Sequence, residues 1–303
     1  MHTVATVVGL GEILWDLLPS GRQLGGAPAN FAYASHLLGD RAIVASRVGG
    51  DELGQEIRTR LLGCGMTDEF LQSDLDHPTG TVGVEVNEEG QPRFEIHYPA
   101  AWDFLEWSEE WRALTQFTDA VCFGSLAQRS AESRASIRAF LQALRPQAVR
   151  IFDVNLRQSF YSTEILAESV ALANVVKLSH EEVPRVAELL AIPGTDDLHF
   201  ARGMMANFRV ALVCITRGAR GSLLASASAV HDHPGFRVTV KDTIGAGDAF
   251  TAGLVHAYLR DQSLADMNDL ANQMGAWVAS TSGGMPVAPE SGLREALREL
   301  KRD

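Results

Sequence analysis

Four segments, AVCFG at 120–124, VRIFDV at 149–154, VVKLS at 175–179 and VALVCIT at 210–216, decide how this chain folds. Each is short, apolar and rich in β-branched residues, the signature of strands buried on both faces. Between and beside them the sequence takes a helical period at Ser133–Leu144, Thr163–Ala173, Glu181–Leu190 and near Asp197–Phe208. Strands alternating with amphipathic helices predict a parallel sheet covered on both faces.

Toward the N-terminus, Thr3–Val8 is a further apolar run that ends in Gly9-Leu10-Gly11. Gly25–Gly39 reads as a glycine-rich loop entering a helix, and Ala42–Val48 as another strand. From Gly80 to Tyr98 the pattern alternates instead, TVGVEV then RFEIHY about a turn at Asn87–Pro92, which predicts a hairpin. This β-rich insertion, with Arg22–Leu24 joining it, is too small to hold its own core and is expected to pack on a ligand or a partner subunit. Toward the C-terminus, GSLLAS and FRVTV read as a second hairpin, followed by helices at Gly247–Leu259 and Leu264–Ser280. The expectation is one α/β domain over 1–303, with a discontinuous β-sheet lid from about 12–25 and 79–100.

The chain's 303 residues suffice for a large core, and its net charge of −12, from 38 acidic against 26 basic residues, lacks the basic footprint of a nucleic-acid binder. Cys64, Cys122 and Cys214 show neither disulfide nor zinc spacing, and Cys122 and Cys214 sit in apolar runs that predict core thiols. With no leader-like opening and no membrane-length apolar run, a cytoplasmic protein that engages no membrane is expected. The lysines, Lys177, Lys241 and Lys301, do not follow glycines, so no G-x-x-x-x-G-K-[ST] loop is present. Gly9-Leu10-Gly11 is followed by Leu14 where a dinucleotide fingerprint needs glycine, so an NAD-dependent oxidoreductase is disfavoured.

The strongest chemical signal is Asp242-Thr243-Ile244-Gly245-Ala246-Gly247-Asp248, which leads from FRVTV straight into a helix. Free amides and the positive dipole end at a helix start bind anions, and glycines let backbone approach phosphate. An aspartate repels phosphate, so Asp248 suits a hydroxyl that attacks one. A second cluster, Gly25-Gly26-Ala27-Pro28-Ala29-Asn30 after Gly11-Glu12-Ile13-Leu14-Trp15-Asp16, offers Asp16 and Asn30 to sugar hydroxyls at the sheet edge. Each cluster by itself also fits an ordinary turn and helix cap. The single histidines His36, His97 and His180 lack metal spacing. Pro99–Asp103 reads as a segment that closes over the sugar, while Trp107 and Trp111 read as helix packing.

GGAPAN and DTIGAGDAF, at this separation, resemble the paired signatures of the ribokinase-like (PfkB) carbohydrate kinases over essentially the whole chain. The resemblance implies a three-layer α/β/α sandwich with a small β-sheet lid, ATP and Mg2+ with a possible K+, and a homodimer through the lid. It implies Asp248 as catalytic base, the amides of Gly245, Ala246 and Gly247 as anion hole, and sugar contacts at Asp16, Gly25, Gly26 and Asn30. The run Asp153–Arg157 is similar to the D-x-N-x-R segment of fructokinases and 2-keto-3-deoxygluconate kinases, which adds Asn155 to the sugar and Arg157 to the catalytic set. Nucleotide contacts are implied at Lys177, Thr216, Gly218, Gly221, Asn272 and Ala276, and metal-associated roles at Glu182, Asp242 and Thr243. Ser179 replaces the family's usual asparagine, and Arg217 departs from the usual nucleotide-side turn. The implied activity is a sugar kinase, with fructose ahead of 2-keto-3-deoxygluconate and nucleosides; a catalytically silent sugar- or nucleotide-binding regulator is the alternative of another class.

Overall fold

Burial in the computed structural model, which describes residues 4–18, 21–86, 92–193, 196–289 and 291–302, follows the apolar runs strand by strand. In chain order the strands are β1 (Thr6–Leu10), β2 (Leu14–Leu18), β3 (Gly21–Gly25), β4 (Arg41–Gly49), β5 (Leu71–Asp74), β6 (Gly80–Val86) and β7 (Pro92–Ile96). They continue with β8 (Ala120–Gly124), β9 (Val149–Asp153), β10 (Val175–Ser179), β11 (Leu212–Thr216), β12 (Ser222–Ser226), β13 (Val230–His233), β14 (Phe236–Arg237) and β15 (Lys301–Arg302). The helices are α1 (Ala27–Leu37), α2 (Glu52–Gly63), α3 (Glu109–Thr115), α4 (Ala131–Ala143) and α5 (Thr163–Leu172). After them come α6 (Val183–Leu189), α7 (Asp197–Asn207), α8 (Ala246–Tyr258), α9 (Leu264–Ala279) and α10 (Leu293–Arg298).

The main sheet runs β13-β12-β11-β10-β9-β8-β1-β4-β5, with every pairing from β5 to β11 parallel and β12 and β13 added antiparallel. Because successive strand residues face opposite sides, one strand feeds two cores. Val121, Phe123, Phe152, Val176 and Val213 pack under Phe140 of α4, Leu166 of α5 and Phe200 of α7. Their neighbours Cys122, Ile151, Val175 and Cys214 pack under Phe250 and Leu254 of α8 and Met274 of α9. The result is a three-layer α/β/α sandwich, and both thiols are core residues.

A separate four-stranded sheet, in the order β3-β2-β6-β7, is assembled from the chain after β1 and the chain after β5. The turn expected at Asn87–Pro92 lies, up to Gln91, outside the described residues. Where this sheet returns to the body, Pro99–Asp103 does not close over a ligand. Trp102 has 0% exposure, and a Cβ on Gly80 would come 2.2 Å from its Nε1. The Arg129 guanidinium covers the indole at 4.0 Å and pairs with Asp103 at 2.7 and 2.8 Å. From Ala100 to Asp103 the segment is therefore a buried stalk, with Pro99 exposed.

Two further expectations change. Trp107 precedes α3, so it does not share a helix with Trp111; both rings instead pack edge-on against Phe140. The C-terminal hairpin pairs β12 with β13, while only Phe236–Arg237 of FRVTV forms a strand, against β15. The next residues up to Val240, 56% exposed, have no strand neighbour and stay irregular.

Close backbone approach fixes α1 on β1. A Cβ on Gly9 would lie 2.0 Å from the Pro28 carbonyl oxygen and 2.7 Å from its carbon, with backbone rather than a flexible side chain in the way. Gly9→Ala is expected to destabilise the fold by about 3 kcal/mol, measured as a lowered midpoint in urea; an unchanged midpoint contradicts this packing.

Candidate active site

The α8 helix opens on Gly245, which is left-handed at φ 75°. A Cβ there would meet Gly284 Cα at 2.5 Å, so two glycines let the helix start and the 281–286 loop touch. The Asp242 carboxylate fastens the same junction: Oδ1 accepts from the Ile244 amide at 3.0 Å and Oδ2 from the Gly283 amide at 3.1 Å. Ala246 donates its amide to Thr243 O at 3.3 Å. The remaining opening amides and the dipole end give the junction the chemistry to bind an anion.

Asp248 lies in the first turn of α8 and accepts a 2.8 Å hydrogen bond from Asn30 Nδ2 of α1. Asn30 Oδ1 lies against the Cα of Gly284, where a Cβ would come within 2.7 Å. Burial, with the Asp153 carboxylate, pushes Asp248 up to about 6, against Lys177, the Asn30 bond and Arg157. Lys177 Nζ is 3.0 Å from both Asp153 oxygens, and Thr251 Oγ1 of α8 donates to Asp153 Oδ2 at 3.2 Å. Burial opposes the Lys177 charge, but Asp153, Asp248 and Glu182 outweigh it and raise the ammonium pKa. A Cβ on Gly247 would be 3.1 Å from that ammonium, which therefore stands behind the helix start.

Asp248 is one wall of a cavity of about 650 Å³ between the main sheet's strand ends and the small sheet. Leu14, Asp16, Val82 and Ile96 line it from the small sheet; Asn155, Arg157, Ser179, Glu182 and Thr216 line it from loops and strand ends of the body. Burial pushes Asp16 up to about 6, against Arg157. A Cβ on Gly25 would come 2.4 Å from Asp16 Oδ2, so Gly25 acts by leaving that carboxylate room. Glu182 clamps two loops, accepting from the Leu156 amide at 2.6 Å and the Ser179 amide at 2.7 Å. Asn155 and Gln158, at φ 42° and 49°, turn the segment that carries Arg157.

Most of the expected residues meet here: Asp16, Gly26, Asn30, Asn155, Arg157, Lys177, Glu182, Thr216, Thr243, Gly245, Gly247 and Asp248 all line the cavity. Gly25, Gly218, Gly221, Asp242, Ala246, Asn272 and Ala276 are not in its lining. Asn272 Nδ2 is committed to Ser222 Oγ at 2.8 Å and Asn268 O at 2.7 Å, which tie α9 to β12. Gly221 is needed for its turn, because a Cβ would sit 1.9 Å from His233 O. Arg217 is taken by Asp197 at 2.7 Å and Asp232 at 2.8 Å, leaving no reach toward phosphate. Of the single histidines, His180 pairs with Asp197 and His97 with Thr81.

Glu12, read in the sequence as part of the Gly11–Asp16 motif but given no role of its own, also lines the cavity. Glu12 is 1% exposed, and burial, aided by Asp248 against Arg157, pushes it up to about 7. Its signal in the sequence was a carboxylate in a turn directly after a buried strand, at the edge where open α/β sheets bind ligands.

A family model, "pfkB family carbohydrate kinase", matches residues 21–291. The chain is 31% identical to the fructokinase of Escherichia coli, over 94% of this chain and 96% of that protein. The crystal structure of fructokinase from Vibrio cholerae O395 with fructose, ADP and calcium superposes with a TM-score of 0.82 at 29% identity, covering 98% of this chain and 99% of that one. A double mutant of that enzyme, with fructose, ADP and potassium, gives 0.82 at 28% identity over 99% and 100% of the chains.

The raised Asp248 carries a stability consequence. Its folded pKa of about 6 exceeds the ordinary 3.8, so the fold disfavours the ionised form. That penalty is complete above the folded value and vanishes below the ordinary one. Asp248→Asn is expected to raise the melting temperature at pH 8, on the order of 1–2 kcal/mol, with the gain shrinking toward pH 4. Equal gains at both pH values contradict it.

Proposed function

The chain belongs to the pfkB family of carbohydrate kinases, and we propose that the sugar it phosphorylates is fructose, with ATP as phosphoryl donor. It is a phosphotransferase that acts on a sugar hydroxyl. The single observation that carries the mechanism is Asp248, fixed by Asn30 beside the glycine-framed start of α8 and facing a cavity of sugar size. In this reading Asp248 accepts the proton of the sugar hydroxyl as that oxygen bonds to the γ-phosphorus, and the bond to ADP breaks with its electron pair leaving on ADP. The helix-start amides at Gly245 and Gly247 carry charge on the moving group, while the expected Ala246 amide is engaged by Thr243 O and holds the turn between them; Lys177 reinforces them from behind, and Arg157 approaches from the mouth. Asp16, Asn155 and Asn30 orient the sugar, with Gly25 and Gly26 leaving room for it. Thr216 borders the nucleotide side, and Gly218, Gly221, Asn272 and Ala276 shape the elements behind it.

The donor set suits Mg2+ that arrives with the nucleotide. Among the described residues no group of three or more His, Cys, Asp and Glu side chains stands ready to hold an ion. Mg2+ keeps several waters and binds through phosphates with one or two carboxylates, so Glu182 would hold an ion-bound water. When bound, the ion offsets phosphate charge. Asp242 and Thr243 would flank a potassium ion beside their turn. Among the described residues no helix is long and apolar enough to cross a membrane, which supports the cytoplasmic expectation.

A coupled ADP-release assay over fructose, other hexoses, 2-keto-3-deoxygluconate and nucleosides is expected to give the highest kcat/KM with fructose. A maximum at another sugar replaces fructose, and no turnover with any acceptor favours the silent regulator. Since Asp248 must be ionised to take a proton, kcat/KM should fall as pH drops through about 6. Asp248→Asn should lower kcat about 10²- to 10⁴-fold while nucleotide binding persists; near-normal turnover overturns its role. A second copy packed on the outer side of the small sheet, where Leu17 is 38% exposed, gives the homodimer. Sedimentation velocity should then find a dimer that Leu17→Glu dissociates, and a monomeric wild type contradicts it.

A further inference from the structure

Glu12 holds more than the fold requires. It follows β1 after Gly11, and the nearby backbone of Glu12 itself and of Ala27, the first residue of α1, favours the charged form of its carboxylate. The α1 N-cap, Gly26, supplies no side-chain cap, and the first turn of α1 contains no acidic residue. Glu12 thus serves an opening amide of that helix from a distance, which a carboxylate does well. This duty leaves Oε2 buried and without a hydrogen-bond partner.

An unpartnered buried carboxylate oxygen costs about 1–3 kcal/mol or more, so its retention calls for a donor that arrives with a ligand. Glu12 lines the same cavity as Asp16, Asn30 and Asp248. The charged groups that face it are Asp248 from α8 and Arg157 from the loop after β9, and the Cys122 thiol of β8 senses its charge. A glutamine there would keep an acceptor for Ala27, so neither helix capping nor volume demands a second carboxylate oxygen. A sugar hydroxyl both donates and accepts, and so matches this atom whether the carboxyl is ionised or neutral.

We propose that Glu12 is a sugar-positioning residue whose Oε2 takes a hydrogen bond from an acceptor hydroxyl other than the one that is phosphorylated. The inference rests on the sugar-kinase reading and extends it to a residue that reads equally well as a structural cap. The paired carboxylates then divide the work: Asp248 faces the reacting hydroxyl, and Glu12 holds a second hydroxyl that fixes the orientation of the ring.

The test compares wild type, Glu12→Gln and Glu12→Ala by steady-state kinetics with sugar and ATP varied separately. Direct calorimetric binding of fructose without nucleotide completes the comparison. Glu12→Gln is expected to raise the KM and Kd for sugar about ten- to a hundredfold, as for loss of a hydrogen bond to a charged group, with the KM for ATP unchanged. One monodeoxy analogue should lower wild-type kcat/KM by a similar factor and leave Glu12→Gln without further loss. Wild-type sugar affinity in Glu12→Gln, with only the melting temperature lowered, overturns the proposal and leaves Glu12 as a cap. Additive losses for every deoxy analogue overturn it as well. A wild type that binds sugar without turning it over defeats the kinase reading alone, since the Kd comparison still reports on Glu12; absence of any sugar binding defeats both.

Discussion

The hydrogen bond from Asn30 to Asp248 spans 218 residues of sequence in 2.8 Å, and the site depends on it. It requires α1 and α8 to bring their N-terminal turns together at one place. Three backbone contacts that exclude side chains make this possible: Gly9 beneath Pro28, Gly245 against Gly284, and Gly284 against Asn30. Tyr33 adds a further tie, its hydroxyl donating to the Pro286 carbonyl at 2.9 Å. Gly245 of the second signature motif is thus needed for helix approach, together with two glycines, Gly9 and Gly284, that lie outside both motifs.

This convergence gathers acidic groups where few charges can be solvated. Glu12, Asp16 and Asp248 all titrate well above the ordinary carboxylate range, chiefly because of burial. Such groups oppose folding at neutral pH, and two large cores, one on each face of the main sheet, offset them. The Lys177–Asp153 pair has another character. Its members hold each other and Thr251, so a positive charge is kept behind the helix start, where an unpaired lysine would be costly to bury.

Much of this was legible in the sequence because local pattern and local chemistry agree. The continuous apolar runs became strands of the main sheet, and DTIGAGD became a glycine turn opening a helix. The misreadings arose where long-range neighbours decide. Trp102 looked like a ligand-facing aromatic, yet the Arg129–Asp103 pair and Gly80 make it a core residue. FRVTV has good strand composition but finds a pairing partner for only two residues. Glu12 stood in the Gly11–Asp16 motif without a role of its own, because only three-dimensional packing puts its carboxylate into the cavity beside Asp248.

The position of β1 in the middle of the main sheet has a consequence for how the chain is made. Its neighbours β4 and β8 leave the ribosome early, whereas α8 and α9, which cover one side of those strands, emerge more than a hundred residues later. At about 5–20 residues per second, Cys122 and Ile151 wait on the order of ten seconds for the cover of α8 and α9, whereas Val7 is met early by Phe31 and Ala34 of α1. During that interval the nascent sheet has one finished face and one bare apolar face. The helix that carries Asp248 is the same helix that seals the sheet, so the site cannot assemble before that face is closed.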